Sequence, residues 1–217
     1  MNPAVNRTRV KICGITRPDD ALAAIDAGAD AIGLVFWEPS VRAVTLQQAE
    51  LICAQIPAFV SIVALTVNAD ALLLQQLANE LPIDLFQYHG GETPEQCQQL
   101  GRPYIKALRM RPELDLGAEM LRFSSAKSIL LDAYKKGVPG GTGEVFNWQL
   151  IPVEYRSRII LAGGLTAANI EQAITEVRPY AVDISGGVEL SAGIKDRVKL
   201  NDFFSGVGRA DRAANMK

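Results

Sequence analysis

The sequence predicts an α/β protein built as a (β/α)8 TIM barrel. Apolar runs of strand length alternate with amphipathic segments of helical period along most of the 217 residues. Several of these runs lack polar alternation, as expected for parallel strands that are covered on both faces. Eight strand–helix units within roughly 200–250 residues are typical of the closed barrel. The alternative, an open doubly wound sheet, commonly has about six strands.

Each predicted strand is a short apolar segment that ends at turn residues or at a charged segment. Runs of this length between turn signals indicate strands that are buried in a parallel sheet. In chain order, the strands are predicted at 10–13, 31–36, 60–65, 85–89, 104–108, 128–132, 158–162 and 181–185.

The predicted helices are marked by residues that favour helix ends. Pro18 lies in a first turn and Gly28 ends that helix, because proline suits the first helical positions and glycine the position after the last. Thr93 and Gln96 form a predicted capping box, in which each side chain bonds the other residue's backbone N–H. The remaining signals are N-caps at Thr45, Asn68 and Thr166, a less distinct helix at 113–122, a short helix near Trp148 and a last helix at 195–204.

Composition and charge exclude several classes of protein. The residues are 48% hydrophobic, so one domain over 1–217 is expected, with polar tails at about 1–8 and 206–217 that fray. The net charge of −2 argues against a nucleic-acid partner or an acidic membrane surface. No apolar run reaches the roughly 18 residues that span a bilayer. The oligomeric state stays open, with a monomer as the default.

The chain has three cysteines, Cys13, Cys53 and Cys97, whose spacing does not suit a metal site. No signal peptide is visible at the N-terminus, so we expect free thiols in a reducing cytoplasm. Cys53 and Cys97 fall within predicted helices, where a core or surface role is expected.

Two candidates for acid–base chemistry lie where a barrel places its active site, at the C-terminal ends of strands. Cys13 ends the first strand beside Gly14, and it is either a buried apolar residue or a reactive thiol. Lys11 and the helix that follows would lower the pKa of this thiol, although Lys11 shares its strand face and can have a role of its own. Asp132 ends the sixth strand, either as a cap or loop hydrogen-bond acceptor or as a general acid.

Glycine-rich loops follow the last three predicted strands. Loops after the last two strands of a barrel often bind phosphate through backbone N–H groups, although a glycine pair can also simply make a turn. We therefore predict a phosphate site from the glycine pairs at Gly163, Gly164 and at Gly186, Gly187; a further glycine-rich segment at 140–143 follows the sixth strand.

Arg42 and His89 also follow strands. Arg42 is either a surface residue or, if it turns inward, a planar partner for a carboxylate. His89 is the one histidine of the chain. It has no base or nucleophile near it in sequence, so a structural hydrogen-bonding role is expected.

Together these motifs resemble the phosphoribosylanthranilate isomerase family of tryptophan biosynthesis. They follow the family's order and cover about residues 9 to 200, and the first of them is close to diagnostic alone. The matching segments are 11–16 (KICGIT), 87–90 (QYHG), 131–133 (LDA) with 140–143 (GGTG), 161–165 (LAGGL) and 182–189 (VDISGGVE).

The resemblance implies a barrel that works without metal or cofactor. It implies an Amadori rearrangement of N-(5-phosphoribosyl)anthranilate, a small phosphorylated substrate, to 1-(2-carboxyphenylamino)-1-deoxyribulose 5-phosphate. Cys13 corresponds to the family's general base, Asp132 to its general acid and Arg42 to the arginine that contacts the anthranilate carboxylate. The residues that correspond to the phosphate loops lie around Gly163, Gly164, Ser185 and Gly186.

The chain departs from the family pattern at two positions, and two other functions remain as alternatives. Val41 stands where the family usually has proline, which would hold φ near −65°, and Gly186 stands where a second serine is more common. The related Amadori isomerase of histidine biosynthesis has an aspartate in place of Cys13. A barrel that binds phosphate without catalysis would lack the acid or the base.

Overall fold

The structure, a computed structural model, describes residues 7–133 and 146–215. Eight parallel strands close into a barrel in chain order, which confirms the predicted fold class. The strands are β1 (Arg9–Cys13), β2 (Ala31–Val35), β3 (Ser61–Thr66), β4 (Leu85–Tyr88), β5 (Tyr104–Met110), β6 (Ser128–Ala133), β7 (Ile159–Leu161) and β8 (Ala181–Ile184). The helices are α1 (Pro18–Ala27), α2 (Leu46–Cys53), α3 (Ala71–Glu80), α4 (Pro94–Gln98), α5 (Leu116–Arg122), α6 (Val153–Arg156), α7 (Ile170–Val177) and α8 (Arg197–Asn215).

The strands are buried on both faces, which explains why their sequences carry little polar alternation. Outward residues such as Ile12 and Leu131 pack into the main apolar core against the helices. Inward residues such as Leu130 and Ile160 form a second cluster inside the barrel. Strand β1 closes the barrel because it pairs with β8 on one side and with β2 on the other.

The predicted capping box at Thr93 and the predicted N-cap at Thr45 are confirmed, and Thr45 also forms a capping box. The Thr45 hydroxyl accepts from the Gln48 N–H at 3.2 Å, and the Gln48 side chain accepts from the Thr45 N–H at 2.9 Å. Thr93 and Gln96 make the same pair of contacts at the start of α4, with Pro94 as its first residue. Each box pairs two backbone N–H groups that the helix leaves without partners.

The predicted caps of two other helices are wrong. Asp70, not Asn68, caps α3 and accepts from the Leu73 N–H at 2.8 Å. Asn68 has a φ of 50°, and its side-chain oxygen does not cap the helix but accepts from a backbone N–H of the loop after β4. Helix α7 begins after Asn169, whose side chain accepts from the Thr166 N–H at 2.8 Å. Short polar side chains compete for several local backbone donors, so the true cap depends on the turn.

The expectation that the C-terminal part frays after about Ser205 is also wrong. Helix α8 continues to Asn215, and Val207 and Ala210 on its inner face are buried. At the N-terminus, the Thr8 hydroxyl donates to Asp211 at 2.7 Å, so the start of β1 is tied to this helix.

A small antiparallel hairpin, β9 (Glu189–Ser191) and β10 (Ile194–Lys195), lies between β8 and α8. The strand pattern does not predict it, because each strand is too short to show a period. No helix in the described ranges is long and apolar enough to cross a membrane.

Candidate active site

A cavity of about 380 Å³ opens at the C-terminal ends of the barrel strands. Val35, Trp37 and Leu65 form part of its apolar wall. The predicted site residues that line it are Cys13, Arg42, Asp132, Gly163, Gly164, Ser185, Gly186 and Gly187. The structure therefore brings all of them to one site, whereas the glycine-rich segment 140–143 lies outside the described residues.

Cys13 lies above a buried ion pair inside the barrel. Lys11 faces inward two residues earlier, and its Nζ lies 2.8 Å from Asp183 Oδ1, with both side chains less than a tenth exposed. Burial raises the pKa of the Cys13 thiol above its usual range; Lys11 offsets part of this effect, and Asp183 adds to it. Lys11 therefore lowers this pKa as expected, but burial of the thiol outweighs the lysine and the net shift is upward.

The contact with Asp183 keeps Lys11 charged. Burial alone would lower the pKa of Lys11, but the charges and hydrogen bonds of Asp183 and Cys13 together outweigh it and raise the pKa. Gly33 on β2 makes room for this arrangement: a Cβ there would lie 2.8 Å from Cys13 Sγ and 2.9 Å from Lys11 Nζ. The absence of a side chain at Gly33 thus lets the thiol and the ammonium group lie side by side.

Asp132 is buried at the top of β6 and is held by two neighbours. Its Oδ1 accepts from the Ala133 N–H at 2.8 Å, and its Oδ2 lies 3.2 Å from His89 Nε2. Gly163 backs onto it with a φ of 83°, and a Cβ there would lie 2.5 Å from the Ala133 nitrogen. The site thus holds a carboxyl group at a defined orientation against an imidazole.

His89 does make hydrogen bonds, and one of its partners is a proposed catalytic group. Its Nδ1 lies 3.1 Å from the amide nitrogen of Gln87, which is fully buried inside the barrel. The loop that carries His89 is braced by Glu92, which accepts from the Gly90 N–H at 2.9 Å and from Lys106 Nζ at 2.8 Å. Lys106 lowers the pKa of Glu92 against the opposing effect of burial, so the brace is an ion pair.

Arg42 turns into the site, where a carboxylate partner holds it. Its Nε and one terminal nitrogen donate to the two oxygens of Glu189 at 2.8 and 2.7 Å. The fully buried Lys195 Nζ donates to the same carboxylate at 2.8 Å. The two cations outweigh burial and lower the pKa of Glu189, whereas burial lowers the pKa of Lys195. Val41 beside Arg42 is 70% exposed and makes no part of the cavity wall.

The glycine loops after β7 and β8 form another part of the cavity wall. A Cβ on Gly187 would lie 2.0 Å from the Leu165 carbonyl oxygen, so the two loops are in close contact. The Ser185 hydroxyl is buried and has no hydrogen-bond partner among the described residues. A buried hydroxyl without a hydrogen-bond partner lowers the stability of the fold. This hydroxyl belongs to a residue that lines the cavity.

The other two cysteines lie apart from this site. Cys53 and Cys97 are buried in the core that packs against the helices, and both are free. Burial raises the pKa of each to about 11, so both stay protonated at neutral pH. Within residues 7–133 and 146–215, no group of three or more histidine, cysteine or acidic side chains is placed to hold a metal ion.

Sequence reasoning missed four residues of the site. Asp183 interrupts an apolar strand, and a buried carboxylate in that position signals an inward partner such as Lys11. The other three, Gln87, Glu189 and Lys195, show no such signal. Their contacts with His89, with Arg42 and with each other depend on how the fold orients the side chains, whether the partner is near in sequence or far.

The comparisons with known proteins agree with this geometry. The family model described as N-(5'-phosphoribosyl)anthranilate (PRA) isomerase matches residues 10–206. The N-(5'-phosphoribosyl)anthranilate isomerase of Nitrosococcus oceani is 55% identical over 201 residues, 93% of this chain and 98% of its own. The Pseudomonas putida F1 enzyme of that name is 54% identical over 206 residues, 95% of this chain and 100% of its own.

Solved structures give the same result. The crystal structure of phosphoribosyl anthranilate isomerase from Thermotoga maritima superimposes with a TM-score of 0.85 at 36% identity, covering 93% of this chain and 99% of that one. A phosphoribosyl anthranilate isomerase in complex with reduced 1-(o-carboxyphenylamino)-1-deoxyribulose 5-phosphate gives a TM-score of 0.81 at 35% identity over the same shares. The chain therefore belongs to the N-(5'-phosphoribosyl)anthranilate isomerase family.

Proposed function

We propose that this protein isomerises N-(5'-phosphoribosyl)anthranilate in tryptophan biosynthesis, with Asp132 as general acid and Cys13 as general base. The observation that carries these roles is that a thiol from β1 and a carboxyl group from β6 face one cavity. Acid–base groups of a barrel enzyme lie at these strand ends. A relative in the same family binds a reduced form of the rearranged product.

The reaction begins at the ring oxygen of the phosphoribosyl group. Asp132 gives its proton to that oxygen and the bond from the oxygen to C1′ breaks, while the anthranilate nitrogen supplies the electron pair for a C1′=N double bond. The resulting iminium carries a positive charge next to C2′. That charge acidifies the hydrogen on C2′, so a modest base is sufficient for the next step.

Cys13 then removes the hydrogen from C2′. The electron pair left behind forms the C1′=C2′ bond of an enolamine, and the iminium nitrogen becomes neutral. The enolamine tautomerises to the ketone when its hydroxyl loses a proton and C1′ gains one, so the net change is an isomerisation. The positive charge of the bound iminium favours the thiolate, which offsets the raised pKa of the free thiol.

The remaining groups of the cavity suit the two ends of this substrate. Backbone N–H groups of the loops at Gly163, Gly164, Gly186 and Gly187, with the unpaired Ser185 hydroxyl, suit a phosphate. Glu189 occupies the Nε side of the Arg42 guanidinium, which leaves donors on the other side for the anthranilate carboxylate. A guanidinium can serve two carboxylates in this way because it has five N–H donors.

The setting proposed for this reaction is the cytoplasm, with a small phosphorylated substrate as the partner. The three free cysteines are consistent with a reducing compartment. The near-neutral charge does not favour nucleic acid or an acidic membrane surface. The monomeric state remains a prediction, which light scattering on the purified protein would test.

Loss of anthranilate fluorescence on addition of the protein to N-(5'-phosphoribosyl)anthranilate tests the activity directly. Cys13→Ser and Asp132→Asn should each lower kcat by about 10²–10⁴-fold, the usual contribution of one acid or base. Both variants should keep the circular dichroism of the folded barrel. Near-normal turnover in either variant would refute the role given to that residue. Turnover of the histidine-pathway aminoaldose instead would favour the related isomerase.

A further inference from the structure

His89 connects the proposed acid to a buried amide that the mechanism above does not use. We propose that His89 and Gln87 are positioning residues that store and supply the proton which Asp132 delivers. This inference rests on the proposed function, because it explains how the general acid is loaded at neutral pH.

The three side chains form a continuous hydrogen-bonded chain across the ends of two strands. Gln87 Nε2 lies 3.1 Å from His89 Nδ1, and His89 Nε2 lies 3.2 Å from Asp132 Oδ2. Gln87 is fully buried, and the side chains of His89 and Asp132 are 11% and 8% exposed. His89 and Asp132 both line the cavity, so the chain runs from the barrel interior to the place where substrate would lie.

A carboxyl group alone is a poor proton store at pH 7. A carboxyl with the reference pKa of about 3.9 keeps its proton in about one molecule per thousand, whereas an imidazole with the reference pKa of about 6.5 keeps one in about a quarter. A histidine in contact with the carboxyl group therefore adds a side chain of the type that can carry a proton near neutral pH.

The buried amide of Gln87 can serve both protonation states of the ring. When its oxygen faces Nδ1 it accepts from an N–H there, and when its nitrogen faces Nδ1 it donates to a bare ring nitrogen. Within the described part of the chain, the Gln87 oxygen is buried without a hydrogen-bond partner. Either orientation leaves one end of the amide unpaired, so the charge of His89 decides which end faces the ring.

Other charged or titratable groups lie near His89 and Asp132, but none of them takes the place of either partner in this contact. Among residues 7–133 and 146–215, His89 and Asp132 form an ion pair with no charged group other than each other. On the described neighbouring elements these groups are Arg109, Arg111 and Glu119, which line an outer cleft with His89, and Cys13 and Asp183, which line the cavity.

The proton moves in two steps that balance. The imidazolium Nε2–H of His89 passes to Asp132 Oδ2, and Asp132 passes a proton to the ring oxygen of the substrate. His89 is left neutral with its hydrogen on Nδ1, where the Gln87 oxygen accepts it. Solvent returns a proton to Nε2 after the product leaves.

The single histidine of the chain allows a direct test without substrate. In untagged protein, the ¹⁵N signals of one imidazole report only His89. Its titration midpoint should fall by about one pH unit or more in Asp132→Asn, because the variant removes the neighbouring carboxylate. It should rise in Gln87→Glu, which places a carboxylate against Nδ1. Equal midpoints in all three proteins would overturn the proposal.

The pH dependence of kcat gives the second readout. His89→Gln keeps a neutral N–H donor but cannot hold the proton, so the alkaline limb of kcat should move to lower pH by about one unit or more. Gln87→Met should shift the limb in the same direction, and Gln87→Glu should shift it upward. A merely structural role would lower kcat equally at every pH and leave the limb unmoved.

The outcomes separate this proposal from the proposed function. If the wild type consumes N-(5'-phosphoribosyl)anthranilate but the limb does not move in these variants, the proton store alone is overturned. If the wild type leaves the fluorescence unchanged, the proposed function fails and the delivery step fails with it. Thermal unfolding of each variant checks that a change in the pH dependence of kcat is not caused by unfolding of the protein.

Discussion

Replacement of Lys11 by methionine removes one partner of the ion pair beneath Cys13. The pair is 2.8 Å long, and its side chains are 6% and 9% exposed. Methionine fills similar space but leaves the Asp183 carboxylate buried without its cation. Breaking a buried pair in this way costs about 3–5 kcal/mol. For a domain of this size, that corresponds to a Tm lower by about 6–20 °C.

The double variant Lys11→Met, Asp183→Leu separates burial from charge. Replacement of both partners by apolar residues removes the desolvation penalty, so most of the lost stability should return. Urea unfolding, monitored by the fluorescence of the two tryptophans, measures both changes. Arg209→Met is a matched control, because its ion pair with Glu171 is about half exposed and should be worth less than about 1 kcal/mol.

The same variants should move the pH at which Cys13 works. Lys11 lowers the pKa of this thiol and Asp183 raises it, so Lys11→Met alone raises the pKa further. Since the base must be a thiolate, the acidic limb of kcat/KM should move to higher pH in the single variant and part of the way back in the double one. The reasoning about the ion pair is refuted if Lys11→Met lowers the free energy of unfolding by less than about 1 kcal/mol, or if the double variant is no more stable than this single variant.

Three further predictions concern the rest of the molecule. Glu189→Gln should raise KM about tenfold or more with a smaller effect on kcat, because it frees Arg42 from a charged partner worth about 1.5–3 kcal/mol; an unchanged KM would contradict this. Gly33→Ala should lower kcat at least tenfold in the fluorescence assay, because its Cβ would lie 2.8 Å from Cys13 Sγ and displace the thiol. A well-placed base usually contributes about 10²-fold or more to the rate. Deletion of the chain after Ser205 should lower the free energy of unfolding in urea by about 2 kcal/mol or more, since it removes two buried apolar side chains; a fully stable truncation would show that this part of α8 is dispensable.

Most of the barrel could be predicted from local patterns. The strand ends fall within a few residues of the predicted ones, because a buried parallel strand is a continuous apolar run that needs no knowledge of its partners. The N-cap at Thr45 and the capping box at Thr93 were equally readable, since their hydrogen bonds lie within four residues. The caps at Asn68 and Thr166 were misplaced because several polar side chains compete for the same backbone donors.

The C-terminal helix shows where local composition misleads. Residues after Ser205 are mostly polar with two glycines, which favours fraying. In the fold, apolar residues at helical spacing bury against the barrel, and Asp211 anchors the start of β1. Tertiary packing therefore stabilises a segment whose own helix propensity is low.

The sequence by itself determined the barrel, the two proposed acid–base side chains at strand ends and the family that their motifs resemble. These features are local, because a strand end, a glycine loop and a motif each occupy a few consecutive residues. Only the tertiary structure decided what surrounds them: the Asp183 contact of Lys11, the Glu189 contact of Arg42 and the His89 contact of Asp132. The partners in these contacts are 172, 147 and 43 residues apart. The charge and burial that set the chemistry of Cys13 and Asp132 thus arise only when the barrel closes.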